Sequence, residues 1–180
     1  RPMPKTPRFS REIVITEKID GTNASVNIVD FMALPEWDFR EAFLRDPHII
    51  AKIGNLAVRA GSRTRWVTPG KEDNHGFAAW VRDHADELVL LGPGHHFGEW
   101  WGGSIQRGYG LAEKRFSLFN VARWGDIAVR PACCHVVPEL ARGMDIREAV
   151  ERGLTTLRTG GSVAAQGFMK PEGVVAYHTA

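Results

Sequence analysis

The feature that most limits how this chain can fold is a set of charged side chains placed against short β-branched or aromatic runs. Lys18 follows Ile13-Val14-Ile15 and stands beside the turn pair Asp20-Gly21. Glu99 lies inside Phe97-Gly98-Glu99-Trp100-Trp101-Gly102, and Glu172 precedes Gly173-Val174-Val175. Runs of this kind, bounded by glycine or Asp-Gly, read as strands. A charge in such a run is drawn partly out of water, which is costly unless it is partnered. One such residue is ordinarily a strand-end surface charge. Lys18, Glu99 and Glu172 together point to a shared polar pocket.

The remaining pattern is mixed. Ala24 to Val29, Leu56 to Trp66, His96 to Trp101, Phe116 to Trp124 and Gly173 to Tyr177 read as strands, with Val136-Val137 a short extended piece. In the Phe116 run, Phe116, Leu118 and Asn120 share one face and Ser117, Phe119 and Val121 the other. Glu36 to Leu44 reads as a helix. Phe77, Trp80, Val81, His84, Leu88 and Leu91 recur at helical spacing, with Asn74 as cap and Gly92-Pro93-Gly94 as stop. His84 falls on the apolar side and reads as a core histidine. Asp145-Ile146-Arg147-Glu148 has the form of a capping box. It opens a helix with Ile146, Ala149, Val150, Leu154 and Leu157 on one side, closed by Gly160-Gly161. Strands outnumber helices and do not alternate with them. The expected fold is α+β, with mainly antiparallel sheets flanked by helices.

Composition narrows the class. At 180 residues, 43% hydrophobic and 24% charged, the chain suits one globular domain over 1–180. A net charge of +2 permits nucleic acid as a partner without requiring it. Basic residues are locally dense at Arg59, Arg63 and Arg65, and again at Arg107, Lys114 and Arg115; each cluster is as readily a solvated surface. Cys133 and Cys134 are adjacent, a poor disulfide pair and too few for a zinc site. They read as a small buried apolar pair at the start of a strand, in a reducing cytoplasm. No run approaches the ~20 apolar residues of a membrane span. Arg1-Pro2-Met3-Pro4 lacks the apolar core of a signal peptide. No membrane partner is expected, and the chain is expected to be a monomer. Neither a Gly-x-Gly-x-x-Gly nor a phosphate-loop motif occurs.

A lysine acts as a nucleophile only as the neutral amine. At an ordinary pKa near 10.4 only about one lysine in a thousand is neutral near pH 7.4, a handicap of about 4 kcal/mol. Desolvation and a nearby cation, such as Arg63 or Mg²⁺, can remove much of it. The carboxylates of Glu99 and Glu172 suit ribose hydroxyls or a divalent metal. Gly21 and Gly173 allow close approach of a phosphate or a neighbouring strand.

Lys18-Ile19-Asp20-Gly21 resembles the Lys-x-Asp-Gly motif of covalent nucleotidyltransferases, the superfamily of DNA ligases, RNA ligases and mRNA capping enzymes. The extended run Glu17-Lys18-Ile19-Asp20-Gly21-Thr22-Asn23 resembles the RNA-ligase branch that includes phage double-strand-repair ligases and RNA-editing ligases. Ser62-Arg63-Thr64, Phe97-Gly98-Glu99-Trp100, Phe116-Ser117-Leu118-Phe119-Asn120-Val121 and Glu172-Gly173-Val174-Val175 resemble later motifs, in family order. The resemblance spans about residues 12 to 177.

The resemblance implies a compact, ATP-grasp-like ligase adenylation domain and an ATP-dependent RNA ligase. Lys18 would attack the α-phosphate of ATP and carry AMP. Glu17 and the Ile19 backbone would lie by the adenine, with Phe119 stacked on it. Glu99 would hold the ribose. Arg63 and Asn23 would contact ribose or phosphate. Glu172 would place Mg²⁺ or the lysine. AMP would pass to a 5′-phosphate end, and a 3′-hydroxyl would displace it, in RNA more readily than in DNA. One expected motif, a Lys-x-Lys that contacts the triphosphate after Glu172, is not reached by Ala180, and no oligonucleotide-binding domain follows. A small ATP-dependent DNA ligase and a non-catalytic nucleic-acid-binding protein with the ligase fold stay open as alternatives.

Overall fold

The computed structural model describes residues 11–71 and 73–179. The Arg1–Pro4 reading lies outside the described residues. The chain divides into two compact units, one of Arg1–Asp20, Tyr109–Leu111 and Val137–Ala180, the other of Gly21–Gly108 and Ala112–Val136.

The first unit is built on strand β1 (Ile13–Lys18). It is the middle strand of a three-stranded antiparallel sheet, between β10 (Gly173–His178) and β9 (Glu139–Gly143). A central strand has both edges paired, so its apolar run can be buried throughout. Ile13, Val14 and Ile15 are all buried, each stabilising the fold by about 1.5–3 kcal/mol. Helix α5 (Ile146–Gly160) packs on this sheet, placing Ala149 and Val150 against Ile13 and Ile15. Asp145 caps it as expected, its carboxylate accepting from the N–H groups of Arg147 at 2.8 Å and Glu148 at 3.1 Å. The buried face differs from the expected one. Ile146 is exposed, and Gly153 faces the sheet instead. A Cβ on Gly153 would stand 2.7 Å from Ile15 Cγ2, so the close helix–sheet contact needs glycine there.

The second unit carries a larger sheet in the order β3 (Ile49–Ile53), β4 (Leu56–Ser62), β2 (Thr22–Asp30), β6 (Gly94–Gly102), β7 (Lys114–Leu118), β8 (Cys134–Val136), with β5 (Trp66–Val67) paired to β4. Every pairing is antiparallel except β7 with β8. Alternation sends Ala24, Val26, Ile28, Val58, Ala60, Trp100 and Phe116 into the core, where Phe77, Val81 and Leu88 meet them. Cys134 is buried at the start of β8, and neither cysteine is in a disulfide.

Several sequence expectations are corrected here. The Leu56–Trp66 run is broken by a turn closed by Ser62 N–H to Arg65 O at 2.8 Å. The expected single helix from Phe77 is α2 (Phe77–Asp83), α3 (Ala85–Leu88) and a 3-10 turn, interrupted at His84, whose ring nitrogen lies 2.9 Å from the Trp80 carbonyl. Its start is held by Asp73 rather than Asn74, through Ala78 N–H at 2.7 Å and Ala79 N–H at 2.9 Å. Asn74 bonds Thr22 instead. The Phe116–Trp124 strand ends at Leu118. Asn120 accepts from Arg123 N–H at 3.0 Å and starts the short helix α4 (Val121–Trp124). A side chain that caps the backbone locally outcompetes the ladder. The expected helix near Glu36 is α1 (Trp37–Leu44).

Candidate nucleotidyl-transfer site

Within the first unit, β1 ends on Lys18, whose register partner on β10 is Gly173. That pairing brings the residue before β10 alongside, and the Lys18 ammonium donates to the Glu172 carboxylate. The pair is open to water, with side-chain exposures of 49% for Lys18 and 25% for Glu172. It is therefore a reachable amine beside a carboxylate, not a buried structural ion pair.

Neighbouring side chains on a strand point to opposite faces, and Glu17 turns the other way. Its side chain is 1% exposed. One carboxylate oxygen accepts from Ser162 Oγ at 2.6 Å, the other from the N–H groups of Val163 and Ala164, both at 2.9 Å. Ser162 Oγ in turn accepts from Ala165 N–H at 3.0 Å. The carboxylate is thus occupied in holding the loop after α5. The Glu17 N–H is engaged as well, donating to the Pro138 carbonyl at 2.9 Å. Ile19 is likewise buried by its side chain.

The turn after Lys18 has a support that the sequence did not reveal. Tyr109, in a left-handed backbone conformation (φ 53°), is buried, and its hydroxyl accepts from Asp20 N–H at 2.8 Å. Its ring packs on Phe168 at 4.6 Å between centroids. Burial pushes the Tyr109 phenol up to about 12, with the charges of Glu17, Asp20 and Glu172 adding to the effect. Tyr109 and Phe168 lie in irregular segments far apart in sequence, so neither periodicity nor a motif marks them. The Gly108-Tyr109-Gly110 spacing is a local sequence signal of a constrained turn, and all three residues have positive φ.

The second unit holds the other predicted residues. Asn23 on β2 and Glu99 on β6 are register partners. Glu99 accepts from Gly21 N–H at 3.2 Å. A Cβ on Gly21 would meet the Trp100 carbonyl oxygen at 2.5 Å, so this glycine serves close strand approach. Phe119 follows β7 and is 37% exposed, with its N–H donated to the Phe97 carbonyl at 3.0 Å. Arg63 is exposed in the turn between β4 and β5, on a cleft of about 290 Å³. The structure therefore joins Lys18 with Glu172 in one unit, and Asn23 with Glu99 in the other.

No group of three or more His, Cys, Asp or Glu side chains that could cage a metal occurs among the described residues. Mg²⁺ at nucleotide sites commonly binds one or two carboxylates plus substrate phosphates, and the partly exposed Glu172 fits that need. Among the described residues, no helix is long and apolar enough to cross a membrane.

Residues 11–180 match the RNA ligase family, and the chain belongs to it. No curated protein sequence matches the chain. Among solved structures, it resembles Naegleria gruberi RNA ligase. A lysine-to-alanine variant of that protein with ATP and Mn superposes with a TM-score of 0.58 at 18% identity, covering 94% of this chain and 46% of that one. A glutamate-to-alanine variant with AMP and Mn gives 0.57 at 18% identity, with 95% and 47% covered. The complex with PPi gives 0.56 at 18% identity, with 94% and 47% covered. The chain spans about half the length of these proteins, and the likeness establishes the α+β ligase fold.

Proposed function

We propose that this chain, as one adenylation domain over 1–180, forms a covalent lysyl-AMP in an ATP-dependent RNA ligase. The observation that carries the reading is the exposed Lys18–Glu172 pair at the β1–β10 end, inside the Glu17-Lys18-Ile19-Asp20-Gly21 run. Family membership and the ATP- and AMP-bound structures of the Naegleria protein support it.

Lys18 Nζ, once it has given up a proton, attacks the α-phosphorus of ATP. The N–P bond forms as the bond from the α-phosphorus to the bridging oxygen breaks, and pyrophosphate leaves with that electron pair. Glu172 holds the amine by a hydrogen bond and so places it. Tyr109 fixes the Asp20 amide, and so the turn that sets the lysine's position. By the family resemblance, Glu99 would hold the ribose, Phe119 would stack on the base, and Arg63 and Asn23 would contact ribose or phosphate. A 5′-phosphate oxygen of the RNA then attacks the AMP phosphorus and frees Lys18. A 3′-hydroxyl displaces AMP in turn. Glu172 is also the residue that would hold Mg²⁺, which supplies charge neutralisation on the phosphates when bound. Most of the acceleration comes from positioning and charge placement.

Incubation with α-labelled ATP and Mg²⁺, followed by a denaturing gel, tests the reading. A labelled band is expected, strongly reduced in Glu99→Ala and Glu172→Ala. Near-wild-type labelling in both would overturn the assigned pocket. Nicked duplexes with RNA or DNA at the 3′-hydroxyl side separate an RNA from a DNA ligase.

A further inference from the structure

One face of the second unit's sheet carries a ladder of planar groups that the proposed adenylation does not use. The Arg59 guanidinium lies over Phe43 at 5.1 Å and over Trp66 at 4.2 Å. Trp66 stacks on His95 at 5.6 Å with an interplanar angle of 28°. His95 lies against Phe97 at 4.2 Å and 31°. The sequence places these rungs by alternation, because His95, Phe97 and Glu99 all point to the face opposite His96 and Trp100. Arg59 is fixed by Asp46 and Asn27, each at 2.8 Å, so the lower rungs are rigid. His95 is anchored by Ser25 Oγ at 2.9 Å. Burial, with the nearby Arg59 charge, holds His95 below its ordinary range, which keeps its ring neutral at pH 7.

The ladder ends on Phe97, half exposed to water. Beside it is the cleft lined by Ser25, Arg63, Arg65, Trp66 and His95. A pre-built stack that stops at an exposed aromatic ring, with arginines alongside, matches what single-stranded nucleic acid requires. Bases stack on aromatic side chains, and the backbone follows a cationic groove.

We propose that Phe97 and His95 form a stacking site for an unpaired base of the RNA substrate, with the turn of Arg63 and Arg65 alongside. The inference rests on the RNA-ligase reading and names where a base of its polynucleotide binds. The base adds the next rung of the ladder. The site reads no sequence, since every base has a stacking face.

Binding of a fluorescein-labelled single-stranded RNA, followed by anisotropy, tests this in the wild-type chain, Phe97→Ala and Phe97→Trp. Phe97→Ala weakens RNA binding by about tenfold or more, Phe97→Trp retains it, and labelling by α-labelled ATP is unchanged in both. Because Phe97 is a surface ring, matching thermal melts confirm an intact fold. Unchanged RNA affinity in Phe97→Ala, or no RNA binding by the wild-type chain, overturns the site. So does loss of ATP labelling alongside RNA binding, which assigns Phe97 to ATP. If the wild-type chain takes no label while Phe97→Ala still loses RNA binding, the adenylation reading fails and the stacking site stands.

Discussion

Replacing Glu17 by Gln isolates what its buried carboxylate does. The side chain keeps its size, so no cavity opens. The carboxylate accepts three hydrogen bonds, from Ser162 Oγ and the N–H groups of Val163 and Ala164. Bonds to a charged acceptor contribute about 1.5–3 kcal/mol each, against about 1 for neutral ones. A glutamine would keep its carbonyl toward the two N–H groups, at the cost of the charge. Its amide would face Ser162 Oγ, which already accepts from Ala165 N–H. The serine hydroxyl then loses its acceptor, worth about 1–3 kcal/mol if left unmet. Part of this is offset, because a neutral amide is cheaper to bury than a carboxylate. The net expectation is a loss of about 2–3 kcal/mol, a large share of the roughly 5–15 kcal/mol of a typical domain. Urea unfolding measures it. The midpoint should fall with the slope unchanged, while the folded fraction still takes label from ATP, since the side chain faces away from Lys18. A change below about 0.5 kcal/mol, the range of ordinary surface substitutions, would refute the role of Glu17 as the clamp on the 162–164 loop.

Further outcomes follow from single contacts. Tyr109→Phe removes the acceptor of Asp20 N–H, costing about 1–2 kcal/mol and slowing adduct formation about tenfold, read in a single-turnover labelling time course; an unchanged rate would remove Tyr109 from the support of the lysine turn. The Tyr109 phenol is raised in the folded state, so its contribution to stability is present below about pH 10 and is lost as pH rises through about 12. Alkaline unfolding should accordingly be shallower in Tyr109→Phe than in the wild type, and identical alkaline limbs would contradict this. Gly153→Ala forces a Cβ to 2.7 Å from Ile15 and should destabilise by about 1–3 kcal/mol, seen as a lower melting temperature; an unchanged or higher one would mean that the helix shifts freely.

Much of the site was legible because its residues follow strands. The β-branched run before Lys18 and the Gly-Val-Val run after Glu172 define β1 and β10, and their register makes Lys18 and Glu172 neighbours. The N-cap at Asp145 was equally legible, since its bonds span only three residues. What escaped were contacts set by distant irregular chain. Glu17 meets Ser162, and Tyr109 meets Asp20 and Phe168, through loops with no periodicity. Expectations also failed where one side chain overrode a pattern. Asp73 took the cap assigned to Asn74, and Asn120 turned an expected strand into α4. Strands β3 and β9 were missed because their partly buried residues give weak alternation.

The most direct test of the central claim is the mass of the chain after incubation with ATP and Mg²⁺, with the modified peptide mapped. A gain of one AMP, located on Lys18 and abolished in Lys18→Ala, is the predicted result. An adduct that persists in Lys18→Ala, or one that maps to another residue, would contradict it.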